Sequence, residues 1–149
     1  MLPTPLLADS SSKYGAAAAG KRRASTSTVP SDPSSAAFMI AAALLVPGSE
    51  VRIRDVGMNP TRIGFLTVVR RMGADVVVEH ARDMAGEPRA DLVVRGGALH
   101  ATTIPGDEVP ATIDELPVLA VLAAFAAGET RLCGAQELRV KESDRLLAL

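Results

Sequence analysis

Apolar residues gather into two long runs, Ala36 to Val46 and Leu116 to Ala127, and alternate with polar ones in several shorter stretches. The first run follows Asp32-Pro33-Ser34-Ser35, a capping side chain with proline at the first helical position. This predicts a helix from about Pro33 to Val46, stopped by Pro47-Gly48. Glu50-Val51-Arg52-Ile53-Arg54 alternates, so it reads as a strand with Val51 and Ile53 toward the core. A second helix is expected to start at Asn59-Pro60 and to be capped by Gly73. Asp75 to Glu79, Asp91 to Arg95 and Ala98 to Ile104 read as strands.

The pattern then restarts. Thr112 and Glu115 have capping-box spacing, and the apolar helix behind them runs through Ala127 and ends at Gly128. Thr130 to Cys133 reads as a strand, and Val140 to Leu149 as the opening of another helix. A shift of 80 positions lays Gly48 on Gly128, Ala43 on Ala123 and Pro60 on Val140. A helix–strand–helix–strand unit thus occurs once completely and once in part. The sequence stops inside its last helix, with neither a C-cap nor a closing strand, which leads us to expect a truncated second unit. The fold class is α/β (α+β).

Residues Met1 to Thr28 do not share this pattern. They are rich in Ser, Ala and Thr, carry the basic cluster Lys21-Arg22-Arg23, and offer too little apolar surface to offset ordering entropy. We expect a disordered tail over 1–28 and a folded domain over 29–149. A non-homologous start, an organelle-targeting peptide and a nucleic-acid-binding arm all fit such a tail. Three basic residues make few phosphate contacts, so the last fits worst.

Composition narrows the rest. Hydrophobic residues make up 48% but aromatics only 3%, so the core is built from Ala, Val, Leu and Ile. With 16 basic against 17 acidic residues and a net charge of -1, nothing points to nucleic acid. Neither apolar run reaches the roughly 18 residues that a membrane-spanning helix needs. A single cysteine excludes an internal disulfide and a cysteine-based zinc site, and Cys133 is expected as a small buried residue within its strand. His80 and His100 stand alone at strand ends, so no metal is expected, and Gly57, Gly64, Gly96 and Gly97 form no phosphate-binding loop.

Charged residues that could carry chemistry concentrate in two segments, Ile113-Asp114-Glu115-Leu116-Pro117 and Arg139-Val140-Lys141-Glu142-Ser143-Asp144-Arg145. Asp114 stands at the rim of a buried helix, where it can act as a general base or simply complement the helix dipole. Lys141 and Arg145 are four residues apart and share a helix face. They either pair with Glu142 and Asp144 on a solvated surface or hold an anionic substrate. Ser34 and Ser35 stand at a helix N-terminus, where they serve as caps or bind an anion.

These two segments, together with Val29-Pro30-Ser31-Asp32-Pro33-Ser34-Ser35-Ala36-Ala37-Phe38 and Gly57-Met58-Asn59-Pro60-Thr61-Arg62, resemble the 5-enolpyruvylshikimate-3-phosphate (EPSP) synthase family. The likeness is greatest to its bacterial branch that includes glyphosate-tolerant enzymes, and it runs from Val29 to Leu149 in order. It implies part of an enolpyruvate-transferase lobe, one βαβαββ unit plus the start of a second. The activity implied is enolpyruvyl transfer from phosphoenolpyruvate (PEP) to shikimate 3-phosphate, without metal or organic cofactor. UDP-N-acetylglucosamine enolpyruvyl transferase shares fold and chemistry, but the Lys141-Glu142-Ser143-Asp144-Arg145 run favours the shikimate enzyme.

By the same resemblance, Asp114 is the proton acceptor on the shikimate hydroxyl and Lys141 contacts shikimate 3-phosphate. Glu142 takes part in proton transfer to the PEP methylene carbon, and Arg145 binds PEP. Ser31 replaces the family's usual glycine, and the family's Lys-Ser loop and its later arginine and lysine have no counterpart in the chain. The expectation is therefore an incomplete site, inactive alone, or a non-catalytic remnant. Apolar surface left open in a partial lobe leads to self-association. The location implied is cytoplasmic, or plastid if residues 1–28 are a transit peptide.

Overall fold

The structure, a computed structural model, describes residues 25–27, 32–84 and 86–134. The predicted helix over Val140 to Leu149 lies outside them. The element order is β1 (Ser25–Ser27), α1 (Pro33–Leu45), β2 (Glu50–Gly57), α2 (Gly64–Arg71), β3 (Asp75–Met84) and β4 (Glu87–Arg95). Then come β5 (Thr103–Ile104), α3 (Val109–Thr112), α4 (Leu116–Phe125) and β6 (Arg131–Leu132). The first six elements form a complete βαβαββ unit. Its first strand falls in the stretch expected to lack structure. Ser25–Ser27 instead pairs parallel to β2, an edge position that needs backbone hydrogen bonds rather than apolar side chains.

The main sheet has the order β1-β2-β4-β3, with β4 antiparallel to both neighbours. Ala90, Asp91, Leu92, Val93 and Val94 of this inner strand are all buried. Helix α1 packs on β2, β4 and α4, and Ala36, Ala37, Ile40, Ala41, Ala43 and Leu44 are buried there. Asp32 caps the helix as expected, its Oδ2 accepting from Ser35 N–H and from the Ser35 hydroxyl, each at 2.9 Å. Partial burial opposes ionisation of Asp32, but these bonds outweigh it and hold its carboxyl below the ordinary range. Ile53 is fully buried and Val51 packs half-buried against the core, as the alternation predicts.

The repeat is visible in the backbone. Helices α1 and α4 end at equivalent positions under the 80-residue shift, Leu45 and Phe125. Each closes the same way: Val46 N–H donates to Ala43 O at 3.3 Å, and Ala126 N–H to Ala123 O at 3.2 Å. Gly48 and Gly128 both turn the chain with positive φ, 72° and 104°, which a side chain resists. Each helical segment also joins two parallel strands, α1 between β1 and β2, and α3 with α4 between β5 and β6.

Several boundaries differ from expectation. The second helix starts at Gly64, because Asn59 Oδ1 captures Thr61 N–H at 3.0 Å and the Thr61 hydroxyl at 2.8 Å, winding residues 59–62 into a turn. Gly73 does follow its end, its N–H donating to Arg70 O at 2.9 Å. Of the Ala98 to Ile104 stretch only Thr103–Ile104 is a strand, with a single bridge from His100 to Ala127 beyond it. Cys133 lies just past β6 and is exposed, because that strand is only two residues long.

His80 is not at a strand end but at an irregularity within β3. Register shifts occur between Ile53 and Val56 on β2 and between Glu79 and Arg82 on β3, on opposite sides of β4. Asp55 and His80 adopt positive φ there, 57° and 50°. The Asp91 carboxylate between them accepts from Asp55 N–H at 2.9 Å and contacts His80 Nδ1 at 3.1 Å, while Arg82 Nη1 donates to it at 3.4 Å. The Asp55 amide, then His80 and Arg82, outweigh burial and hold the Asp91 carboxyl below the ordinary range. A depressed folded pKa contributes stability that is present above the unfolded value and lost as pH falls through the folded one. Asp91→Asn should therefore cost about 1–3 kcal/mol at pH 7. Its stability deficit relative to the parent chain should shrink as pH falls below about 4. Urea unfolding of both proteins across that range measures it.

Candidate active site

Asp114 stands at the corner between α3 and α4 and is exposed. Three contacts hold this corner. At its start, Arg71 from the end of α2 grips Glu108 with two bonds of 2.8 and 2.7 Å. The same guanidinium donates to Thr102 Oγ1 and Thr103 O, each at 2.9 Å. The bond from Arg71 lowers the Glu108 carboxyl pKa, and the bond to Glu108 raises that of Arg71. Farther on, Gly64 opens α2 directly against the α3 backbone. A Cβ on Gly64 would stand 2.5 Å from Ala111 O and 2.7 Å from Thr112 Cγ2.

The third contact replaces the expected capping box. Glu115 is the residue before α4, but its side chain makes no cap, and the Thr112 hydroxyl turns back to Glu108 O at 3.0 Å. A short helix at Val109–Thr112 puts Thr112 inside its own turn and removes the extended backbone that a capping threonine needs. The Glu115 carboxylate is buried, 6% exposed, and accepts the Ser34 hydroxyl from the first turn of α1. Arg62 Nη2 approaches Ser34 Oγ and Asp32 Oδ1, each at 3.4 Å.

A cleft of about 310 Å³ opens at this junction, lined by Thr61, Arg62, Pro110, Ala111, Ile113, Asp114 and Glu115. It lies between the turn before α2 and the α3–α4 corner. Asp114 and Glu115 face one guanidinium across it, with Asp32 beside that guanidinium. Anions bind such walls only if further cations are supplied. Lys141, Glu142 and Arg145, the other sequence-derived site residues, lie outside the described residues. Sequence reasoning missed Arg62 and the diversion of Ser34 and Glu115. Capping spacing alone could not show that these two side chains meet across the fold. Among the described residues, no three His, Cys, Asp or Glu side chains gather to hold a metal. No described helix is long and apolar enough to cross a membrane.

The βαβαββ unit with a partial second copy, and a carboxylate cleft where they join, define a piece of an α/β enolpyruvyl-transferase fold. A solved structure of EPSP synthase from Acinetobacter baumannii superposes with a TM-score of 0.76 at 49% identity, over 80% of this chain and 27% of that one. The family model for EPSP synthase (3-phosphoshikimate 1-carboxyvinyltransferase) matches residues 8–149, and the chain belongs to that family. The 3-phosphoshikimate 1-carboxyvinyltransferase of Paramagnetospirillum magneticum is 58% identical over 112 residues, 75% of this chain and 25% of that protein. The protein of the same name from Synechococcus sp. is 56% identical over the same shares. The chain therefore spans about a quarter of the length of the curated relatives it matches. The family match begins inside the stretch 1–28 that composition set apart.

The corner's geometry has a direct check. Gly64→Ala should push α2 away from Ala111 and destabilise the chain by about 1–3 kcal/mol. Thermal unfolding reads that loss, and an unchanged midpoint would show that the two backbones are not in close contact.

Proposed function

We propose that this chain contributes part of the site that transfers the enolpyruvyl group of PEP to shikimate 3-phosphate, giving EPSP and inorganic phosphate. The observation that carries the proposal is Asp114, exposed beside a cleft at the junction of two repeat units in a chain of this family. In this reading Asp114 accepts the proton of the attacking shikimate hydroxyl and Glu142 delivers a proton to the PEP methylene carbon, giving an adduct that forms EPSP when that carbon loses a proton and the C–O bond to phosphate breaks. Lys141 holds the phosphate of shikimate 3-phosphate and Arg145 holds PEP. Both substrates are anions and the described walls of the cleft carry more carboxylates than guanidinium groups. In this reading Lys141 and Arg145 are the groups that meet the two anions.

The relatives are about three times as long, and catalysis requires all binding groups in place at once. The chain alone is expected to release no phosphate from the two substrates. A second polypeptide supplying the remainder of a relative is expected to restore release. Asp114→Asn in the restored mixture should then lower the rate about 10²–10⁴-fold. Restored release that ignores Asp114→Asn would remove Asp114 from the chemistry. No restoration would sink the proposed function. Release by the chain alone, abolished by Asp114→Asn, would mean that the chain completes its own site. The bacterial relatives carry the proposal of a cytoplasmic location.

Apolar surface supports a second proposal, self-association of the isolated chain. Helices α1 and α4 are apolar nearly all round, yet Phe38 is 66% exposed and Phe125 is 71% exposed. An apolar groove of about 290 Å³ also lies open beside α4, lined by Leu116, Leu119 and Leu132 among others. Size-exclusion chromatography is expected to show oligomers, reduced by Phe38→Ser with Phe125→Ser. A compact monomer of the parent chain would contradict it.

A further inference from the structure

We propose that Glu115 is a positioning residue, which acts through Ser34 to hold the Asp114 corner against the first turn of α1. This deepens the proposed function and rests on Asp114 being the proton acceptor. Glu115 is one of only three buried polar or charged residues among those described, and the chemistry assigned above does not use it. Burying a carboxylate is costly unless a partner compensates. A surface carboxylate would complement the α4 dipole equally well, so the dipole gives no reason to bury this one.

The bond it makes spans 81 positions of sequence and links the leading helix of one repeat unit to that of the next. The contacts at Glu108 and Ala111 hold the corner before Asp114. The Ser34–Glu115 bond holds it immediately after, so the Asp114 backbone is fixed on both sides. Within the corner, Glu115 N–H donates to Thr112 O at 3.0 Å. Loss of the Ser34 anchor leaves the ties to Arg71 and α2 but removes this tie to α1, so the corner can shift relative to α1. Misplacing a catalytic group by about 1 Å lowers a rate by as much as about 10²-fold.

Amide hydrogen exchange in the whole chain tests the anchor, comparing Ser34→Ala, Ser34→Thr and Glu115→Gln. The reference is Leu92, fully buried in the sheet. Ser34→Ala is expected to speed exchange of the Glu115 amide about 10-fold and to leave Leu92 unchanged. Ser34→Thr keeps the hydroxyl and Glu115→Gln keeps an acceptor, so both should retain most of the protection. Equal acceleration at both amides, or none at Glu115, overturns the anchor. The catalytic consequence is read in the restored enzyme. There Ser34→Ala should lower kcat about 10-fold with the KM for shikimate 3-phosphate unchanged, and Ser34→Thr should recover it. A rise in KM alone would overturn positioning. A mixture that never turns over would count against the proposed function, while the exchange result still decides the anchor.

Discussion

Helix α1 has apolar residues on nearly every side, and the burial this demands organises the molecule. One side meets β2 and β4, and another meets α4. That arrangement fixes the helix ends as well as its sides. Its C-terminal end turns at Gly48 into β2, and its N-terminal end projects Ser34 toward the corner before α4. The cleft opens beside that contact, between the turn before α2 and the α3–α4 corner. Moving α1 would move the sheet, the second repeat unit and the cleft together.

Two of the three buried polar groups among the described residues stand where the backbone leaves regular geometry. Asp91 fills the gap between two strand irregularities, and its carboxylate satisfies a backbone amide that the ladder leaves unpaired. Glu115 sits where α3 gives way to α4. Arg71 crosses from α2 to the start of the same corner, its guanidinium donating four bonds to Glu108, Thr102 and Thr103. Each joins elements that apolar contact alone would leave free to slide, because hydrogen bonds are directional and hydrophobic contact is not. The Arg71 pair is partly exposed and adds little to stability, roughly 1 kcal/mol or less. Its significance is the register it sets.

The repeat bears on how a site of this kind is assembled. Two copies of one motif bring equivalent helix starts side by side, with Asp32 and Ser34 at the start of one and Asp114 and Glu115 at the start of the other. The copies have diverged where they meet. Both helices carry a proline in the first turn, but the first keeps an aspartate cap, whereas the second is preceded by the four-residue α3 and has no side-chain cap. That divergence leaves Asp114 exposed and Glu115 buried, two adjacent carboxylates in opposite surroundings.

Much of this was legible in the residues. The caps at Asp32 and Gly73, the alternation in β2 and the family motifs each depend on neighbours a few positions apart, and the 80-residue repeat is the recurrence of such local signals. Local chemistry decides them, so a linear reading recovers them. Val29 to Phe38, Gly57 to Arg62, Ile113 to Pro117 and Arg139 to Arg145 likewise carried the resemblance on which the proposal for Asp114 rests. The turn at Asn59 was mistaken for a helix start because capping and turn chemistry use the same residue types. Only tertiary structure could recruit Ser25–Ser27 as a strand, since an edge ladder is made by backbone and leaves no side-chain signature. Only tertiary structure could send Glu115 to Ser34 rather than to Thr112. Its spacing offered a local partner three residues away, and the partner it took became available once α1 and α4 had packed.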